Sequence, residues 1–339
     1  MKIASGVIDG VLERLRAVDG FERAALAGPP QPITGGFWAT LLLIRLTDAP
    51  DREVVVRLMP DSRLAAKETV FQREAYRQRL AVPRIHLFGD SDAGLGAAFL
   101  VMARAPGVPP LPGLDGIAAL GRLPSTTRAL PLLLGSVMAE VHRLDPQPFV
   151  AALDGRCPDT SELLDHWGEW AAALGRSDLV LAAARLADRR PSPSAPVVCH
   201  GDLHPLNLLV QDGQWTLLDW TAAVIAEPAY DLAFTTLLLR HPPLAVPRPL
   251  GPAIAATGRY VARRFQAGYA ASGQPLPGKP RLDWHTALHS LRILLEAESW
   301  RQEGTVDQHA GHPWVSIAPV AVSALARVTD VNVGTVRWS

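Results

Sequence analysis

Apolar residues at Ile8, Val11, Leu12 and Leu15 recur at helical spacing, so the chain is expected to open with an amphipathic helix. Two apolar runs follow, Leu41–Leu46 and Val54–Leu58, separated by the turn-rich Thr47-Asp48-Ala49-Pro50-Asp51. That pattern predicts a hairpin, with Gly35-Gly36 at its front edge. The next stretch, DSRLAAKETVFQREAYRQRL, has no Pro or Gly and reads as a helix ended by Pro83. Extended runs at Ile85–Phe88 and Ala97–Met102 complete a small sheet, and APGVPPLPG (105–113) then breaks regular structure. Helical patterns cover about 128–144, 160–174, 178–188, 229–240, 252–271 and 283–303, interrupted by two short strands within 196–220 and by the Pro-rich segment 241–252. The expected fold class is α+β in two lobes. A small N-terminal antiparallel-sheet lobe spans 1–104, with a hinge at about 103–107, and a larger, mostly helical lobe spans 105–339. Small ligands usually bind in the cleft that such a plan creates.

Composition narrows the function classes. The 339 residues suit two lobes, and 48% apolar content supplies a sizeable core. Lys plus Arg (33) equals Asp plus Glu (33), so no overall charge attracts nucleic acid or an anionic membrane. The first twenty residues lack the apolar core of a signal peptide, and the longest apolar runs, such as Ala129–Met138, are shorter than a membrane span. Cys157 and Cys199 lie far apart and form no metal-ligand spacing or disulfide framework. A cytoplasmic protein, monomeric or homodimeric, is expected.

Two motifs mislead. GQPLPGKP (273–280) has the glycines and lysine of a phosphate loop at Gly273, Gly278 and Lys279, but Pro280 stands where a hydroxyl is required. Pro275 and Pro277 also remove backbone donors. His285 and His289, four residues apart on a helix, have no evident third metal ligand.

The informative stretch is VVCHGDLHPLNLLVQDGQWTLLDWT (197–221). Asp202 follows one apolar run, Asn207 comes five residues later, and Asp219 ends the next run. Gln211-Asp212-Gly213-Gln214 forms the turn of a hairpin. Either residue alone suits a bland role, Asp202 capping a turn and Asn207 making an Asx-turn. Together they suit phosphoryl transfer. That reaction needs a positioned hydroxyl, a carboxylate to take its proton and a divalent cation on the phosphates. A carboxylate and an amide oxygen suffice to hold magnesium, which keeps several waters.

HGDLHPLN followed by LLDWTAAVIAEPAYDLA resembles the signature of the aminoglycoside phosphotransferase and choline kinase-like superfamily, relatives of the protein kinases. The matched positions are His200, Asn207, Asp219-Trp220, Glu227-Pro228 and Asp231-Leu232-Ala233. The resemblance covers about residues 20–310 and implies a protein-kinase-like fold. It also implies an ATP- or GTP-dependent enzyme, with Mg2+, that phosphorylates a hydroxyl of an antibiotic-like or metabolite small molecule. By resemblance Asp202 is the catalytic base and Asn207 and Asp219 are the magnesium ligands. Asp231 and His200 would support the catalytic loop. Gly35, Gly36 and Phe37 resemble the loop over the phosphates, and Arg57 the cation on them. Glu74 matches the helix acid that pairs with that cation. Met102 would back the adenine while backbone groups of Ala103 and Ala105 bond its edge.

Two departures stand out. Leu206 replaces a frequent Gly before Asn207, and Ala103 a frequent hinge acid. The acceptor has no motif. Glu296, Glu298, Glu303 and Asp307 could form an acidic pocket for a cationic sugar, but Arg292 and Arg301 share their helix. Abundant Trp leaves an apolar acceptor equally open. A non-catalytic nucleotide-binding module is the rival from another class, although Asp202, Asn207 and Asp219 are all retained. A protein kinase is disfavoured by the short link between Asp219 and Glu227.

Overall fold

A computed structural model describes residues 5–33, 39–90, 96–111, 117–154, 160–242, 251–309 and 312–335. The chain divides into two compact units. One comprises Met1–Pro109, Gln147–Gly155 and Leu206–Ala223; the other comprises Pro110–Pro146, Arg156–Pro205 and Val224–Ser339.

The first unit is built on an antiparallel sheet. Helix α1 (Ser5–Leu15) precedes β1 (Ala25–Leu26), β2 (Gln31–Ile33), β3 (Thr40–Thr47) and β4 (Glu53–Met59). Helix α2 (Ser62–Arg77), β5 (Ile85–Gly89) and β6 (Ala98–Ala103) follow. The strand order is β1-β3-β4-β6-β5, with β2 also on β3. Period-two alternation sorts β4 between two cores. Val54, Val56 and Leu58 pack with Ile8, Val11 and Leu12 of α1, whereas Met59 packs with Ala65 of α2. Arg57 shares the parity of Met59 and therefore faces α2. The Asp61 carboxylate caps α2, accepting from the N–H groups of Arg63 (2.8 Å) and Leu64 (3.2 Å).

Two segments that sequence order places in the helical lobe belong to this first unit. Helix α4 (Gln147–Ala152) sets Phe149 against Phe71, ring centres 5.5 Å apart. The hairpin β8 (Leu208–Gln211) and β9 (Gln214–Leu217) turns through Asp212-Gly213, both at positive φ, as a type I′ turn requires. It is tied in by reciprocal backbone bonds between Val108 and Val210 and by Leu217 N–H to the Ala81 carbonyl, 2.8 Å. Neither set of contacts is local in sequence.

The second unit is mostly helical, with α3 (Ile117–Val141), α5 (Thr160–Ala173), α6 (Ser177–Asp188), α7 (Pro228–Arg240), α8 (Gly251–Ala271), α9 (Lys279–Gln302) and α10 (Pro313–Thr329). A small antiparallel pair, β7 (Val197–Cys199) and β10 (Val224–Ala226), lies among them. Apolar side chains of α5, α6, α7, α9 and α10 make one core around Trp284, Leu288 and Leu291. Helices α3 and α8 meet at Gly135 and Gly268, where a Cβ would come within 2.4 Å of the Phe265 carbonyl and 2.7 Å of the Leu132 carbonyl. Helix α10 departs from the sequence expectation, which ends the helices at 303. Pro313 occupies its first turn, where a missing N–H costs nothing, and Pro319 is tolerated inside it. Among the described residues no helix is long and apolar enough to cross a membrane.

Candidate functional site

In the first unit the site is built around one arginine. Arg57 is buried on β4, and its guanidinium bridges two carboxylates. Nη2 lies 3.1 Å from both oxygens of Asp219, and Nη1 lies 3.4 Å from Glu68 on α2. The helix acid is therefore Glu68 and not Glu74, which instead pairs with Arg77 on its own helix. Strand register sets this pairing. Arg57 stands opposite Leu100, and Met102 opposite Val55, two residues nearer the end of β6. Gln72, one turn beyond Glu68 on α2, already reaches the Pro83 carbonyl (2.8 Å) and the Met102 sulfur (3.8 Å). Glu74 lies further along and has passed Arg57. Both Glu68 and Glu74 sit on the buried side of α2, so spacing alone does not separate them.

Glu68 is fully buried, and burial pushes its pKa up to about 7 against the opposing charge of Arg57. The Asp219 carboxylate adds to the upward push.

Asp219 follows β9 in the left-handed region, φ +63°, a conformation an Asp adopts only with local support. Thr221 provides it, donating its hydroxyl (2.5 Å) and its N–H (3.4 Å) to Oδ1. Asn207 ends the short 3₁₀ turn Pro205–Asn207, and its carbonyl accepts from Leu218 N–H at 2.8 Å. The hairpin thus holds Asn207 beside the residue preceding Asp219. The donor set is one anionic and one neutral oxygen group, and 29% of the Asp219 side chain is accessible. These groups fit a hard divalent cation such as magnesium, which takes oxygen ligands and retains waters.

Near the end of β6, Met102 is buried in the core beside Leu100. The N–H of Ala103 donates to the Arg84 carbonyl (2.9 Å), so that donor is already occupied, and Arg104 N–H donates to the Glu53 carbonyl (3.2 Å). A pocket of about 320 Å³ lies against Ala103, Ala105, Arg84, Tyr76 and Thr216; Arg57 and Asp219 do not line it. Gly35, Gly36 and Phe37 lie outside the described residues.

In the second unit the loop carrying Asp202 hangs from one buried carboxylate. Asp231, on the first turn of α7, accepts from the N–H of His200 (2.8 Å) through Oδ2 and from the N–H of Gly201 (2.6 Å) through Oδ1. Gly201 has φ +77°, which glycine adopts freely. His200 Nδ1 accepts from the Asp202 N–H at 3.3 Å, so this fully buried ring orients the loop. Thr235 adds a hydroxyl bond to the Leu203 carbonyl, 2.8 Å. Asp202 itself is 30% accessible and lies 3.6 Å from His204 Nε2. Leu206 is 59% exposed.

Sequence reasoning missed the groups behind Asp231. His142, at the end of α3, meets Asp231 Oδ2 through Nε2 at 3.1 Å, and Tyr269 of α8 meets His142 Nδ1 at 2.8 Å. Burial pushes the Tyr269 phenol up, so it keeps its proton, and Nδ1 is the acceptor found for it among the described residues. Nε2 faces the Asp231 carboxylate and donates to it. Burial alone would raise the pKa of Asp231; the His142 bond heads the interactions that bring it below the usual carboxylate range. Cys199, His142 and Asp231 lie close enough to suggest a metal cluster. The histidine and carboxylate are already bonded to each other, and burial pushes the thiol well up, so the trio reads as structural.

The sequence model of the phosphotransferase enzyme family (APH) matches residues 31–285. No curated protein matches the chain. Among solved structures, a candidate aminoglycoside phosphotransferase from Ralstonia eutropha is 18% identical, with 96% of this chain and 98% of that one covered at a TM-score of 0.67. Macrolide 2′-phosphotransferase MphH from Brachybacterium faecium is 21% identical over 92% of this chain and 98% of its own, TM-score 0.53. A thermostable mutant of APH(4)-Ia, solved as a ternary complex with AMP-PNP and hygromycin B, is 18% identical over 92% and 96%, TM-score 0.55. At these identities the likenesses establish the fold: an antiparallel-sheet unit and a helical unit of the aminoglycoside phosphotransferase kind.

Proposed function

Because the chain belongs to the phosphotransferase enzyme family, we propose that it transfers the γ-phosphoryl group of ATP or GTP to a hydroxyl of a small molecule. The acceptor oxygen attacks the γ-phosphorus as the bond to the β–γ bridging oxygen breaks, the nucleoside diphosphate leaves, and the hydroxyl proton passes to Asp202. Asp202 is accessible, His200 holds its N–H, and Asp231 holds the two residues before it, as a base that must meet a hydroxyl requires. Asn207 and Asp219 would hold magnesium, which neutralises charge on the phosphates when bound. Arg57 takes the nucleotide phosphates, a role suited to a cation with five fixed donors, and Glu68 fixes its orientation. Met102 and the backbone of Ala103 and Ala105 serve the base, Ala103 through its carbonyl because its N–H is occupied. Gly35, Gly36 and Phe37 would cover the phosphates.

The observation that carries this reading is the buried Arg57 guanidinium held between Glu68 and Asp219. A structural ion pair needs one acid; a cation set between a helix acid and an accessible, left-handed Asp suits a site that will receive further negative charge. The neighbour solved with AMP-PNP and hygromycin B supports a nucleotide as co-substrate. Nucleotide supply makes the cytoplasm the place of reaction. The test is coupled ADP release across antibiotics, amino alcohols and sugars. Asp202→Ala and Arg57→Ala are expected to abolish acceptor-dependent release while keeping the wild-type circular dichroism spectrum. Undiminished release in both variants refutes the assignment.

A further inference from the structure

A polycationic acceptor needs carboxylates free to receive it, and α9 has its acids engaged. Glu298 pairs with Arg176 (3.0 Å) and Arg301 (2.5 Å). Glu296 accepts from Arg292 Nε (2.7 Å) and from Trp314 Nε1 (2.5 Å). The group with capacity to spare is a cation. Arg292 spends only Nε; its two terminal nitrogens have no acceptor among the described residues. Yet 25% of its side chain remains accessible.

Helix periodicity brings this arginine to the catalytic loop. His285, His289, Arg292 and Glu296 fall on one face of α9. His289 Nε2 bonds the Tyr230 carbonyl at 2.8 Å, and Tyr230 immediately precedes Asp231, the anchor of residues 200–201. Arg292 therefore sits one turn along from the contact that fixes the Asp202 loop. Electrostatics agrees. Burial works against the charge on Arg292, and Glu296, Tyr230 and Asp202 outweigh it. Burial pushes His312, at the start of α10, down to about 4, with Glu296 and Asp202 opposing, so it brings no competing positive charge at neutral pH.

We infer that Arg292 receives an anionic group of the acceptor, so that the substrate is an alcohol bearing a carboxylate or similar oxyanion and not a polycation. A guanidinium with two open nitrogens matches the two oxygens of such a group, while the hydroxyl is presented to Asp202. The inference rests on the phosphotransferase reading above.

Three alcohols matched in length and differing in charge test it: 4-hydroxybutyrate, 1,4-butanediol and 4-amino-1-butanol, each in coupled ADP release with ATP and magnesium. Wild type is expected to turn over 4-hydroxybutyrate at least tenfold faster than 4-amino-1-butanol at equal subsaturating concentration, with the diol between. Arg292→Glu is expected to invert the order, and Arg292→Gln to flatten it. Should the variants not fold, the wild-type order alone decides. ADP release into water with no alcohol added, and its loss in Asp202→Ala, reports on the phosphotransferase reading separately. A flat or cation-first order in an enzyme that retains this Asp202-dependent release overturns the Arg292 assignment alone; no Asp202-dependent release under any condition overturns both.

Discussion

Replacing Asp231 by Asn removes one charge and one acceptor at the point where the loop carrying Asp202 is held. The carboxylate accepts from His200 N–H and His142 Nε2 on one oxygen and from Gly201 N–H on the other. An amide has one oxygen, so in either orientation its NH2 group faces a buried N–H. At least one donor is then left without an acceptor, at about 1–3 kcal/mol, and the surviving bonds lose their charge assistance. The sum is about 3–5 kcal/mol, the range for breaking a buried ionic contact. The second unit has about 200 residues, for which each kcal/mol moves Tm by roughly 2–4 °C. Asp231→Asn should therefore lower Tm by about 10 °C in scanning calorimetry. Below that Tm, kcat for ADP release should fall by about 10²-fold, because an ångström of misplacement at a catalytic group has that effect. The KM for ATP should change little, since Asp231 belongs to the second unit and Arg57 to the first. A Tm within 2 °C of wild type with kcat retained refutes the claim that this carboxylate holds the loop.

Three further outcomes are expected. Glu68→Gln should lower kcat/KM for ATP by about 10-fold or more, because Arg57 loses its helix partner, whereas Glu74→Gln should leave it within twofold; steady-state kinetics on both variants checks the pairing. Tyr269→Phe should release the His142 tautomer, read as a shift of the His142 ring nitrogens in ¹⁵N NMR, with a stability loss of about 1 kcal/mol; unchanged nitrogen shifts contradict the relay. Acid should destabilise in two stages. Burial holds His289 neutral, its pKa down at about 3, so stability present above its unfolded value near 6.5 is lost as pH falls from there. Glu227, which burial alone would raise, is brought to about 2 by His285 and Arg281, so its contribution is lost from about 4.5 downward. A Tm constant between pH 7 and 3 contradicts both.

Much of this was legible in the sequence because it is encoded locally. Apolar runs mark β3, β4, β5 and β6; Gln211-Asp212-Gly213-Gln214 marks a hairpin turn; Pro83 marks the end of α2. Asp202, Asn207 and Asp219 stand out in the sequence at the ends of apolar runs, whereas Asp231 is singled out only by resemblance to the family signature. What was not legible depends on register and on distant partners. Glu68 and Glu74 lie on the same buried side of α2, and only the level of Arg57 against that helix separates them. His142, just after α3, and Tyr269 of α8 are 127 residues apart, and no spacing announces their contact. Helix α10 carries Pro313 and Pro319, a residue type that ordinarily interrupts a helical pattern. The transfer of 206–223 to the sheet unit rests on bonds to Val108 and Ala81, invisible from chain order.

The most direct test of the central claim is mass spectrometry of the acceptor after incubation with ATP and magnesium. The account predicts that wild type adds one phosphoryl mass to a hydroxyl of the compound that stimulates ADP release, and that Asp202→Ala, folded as judged by calorimetry, adds none. Stimulated ADP release with no phosphorylated product, or equal product from Asp202→Ala, contradicts it.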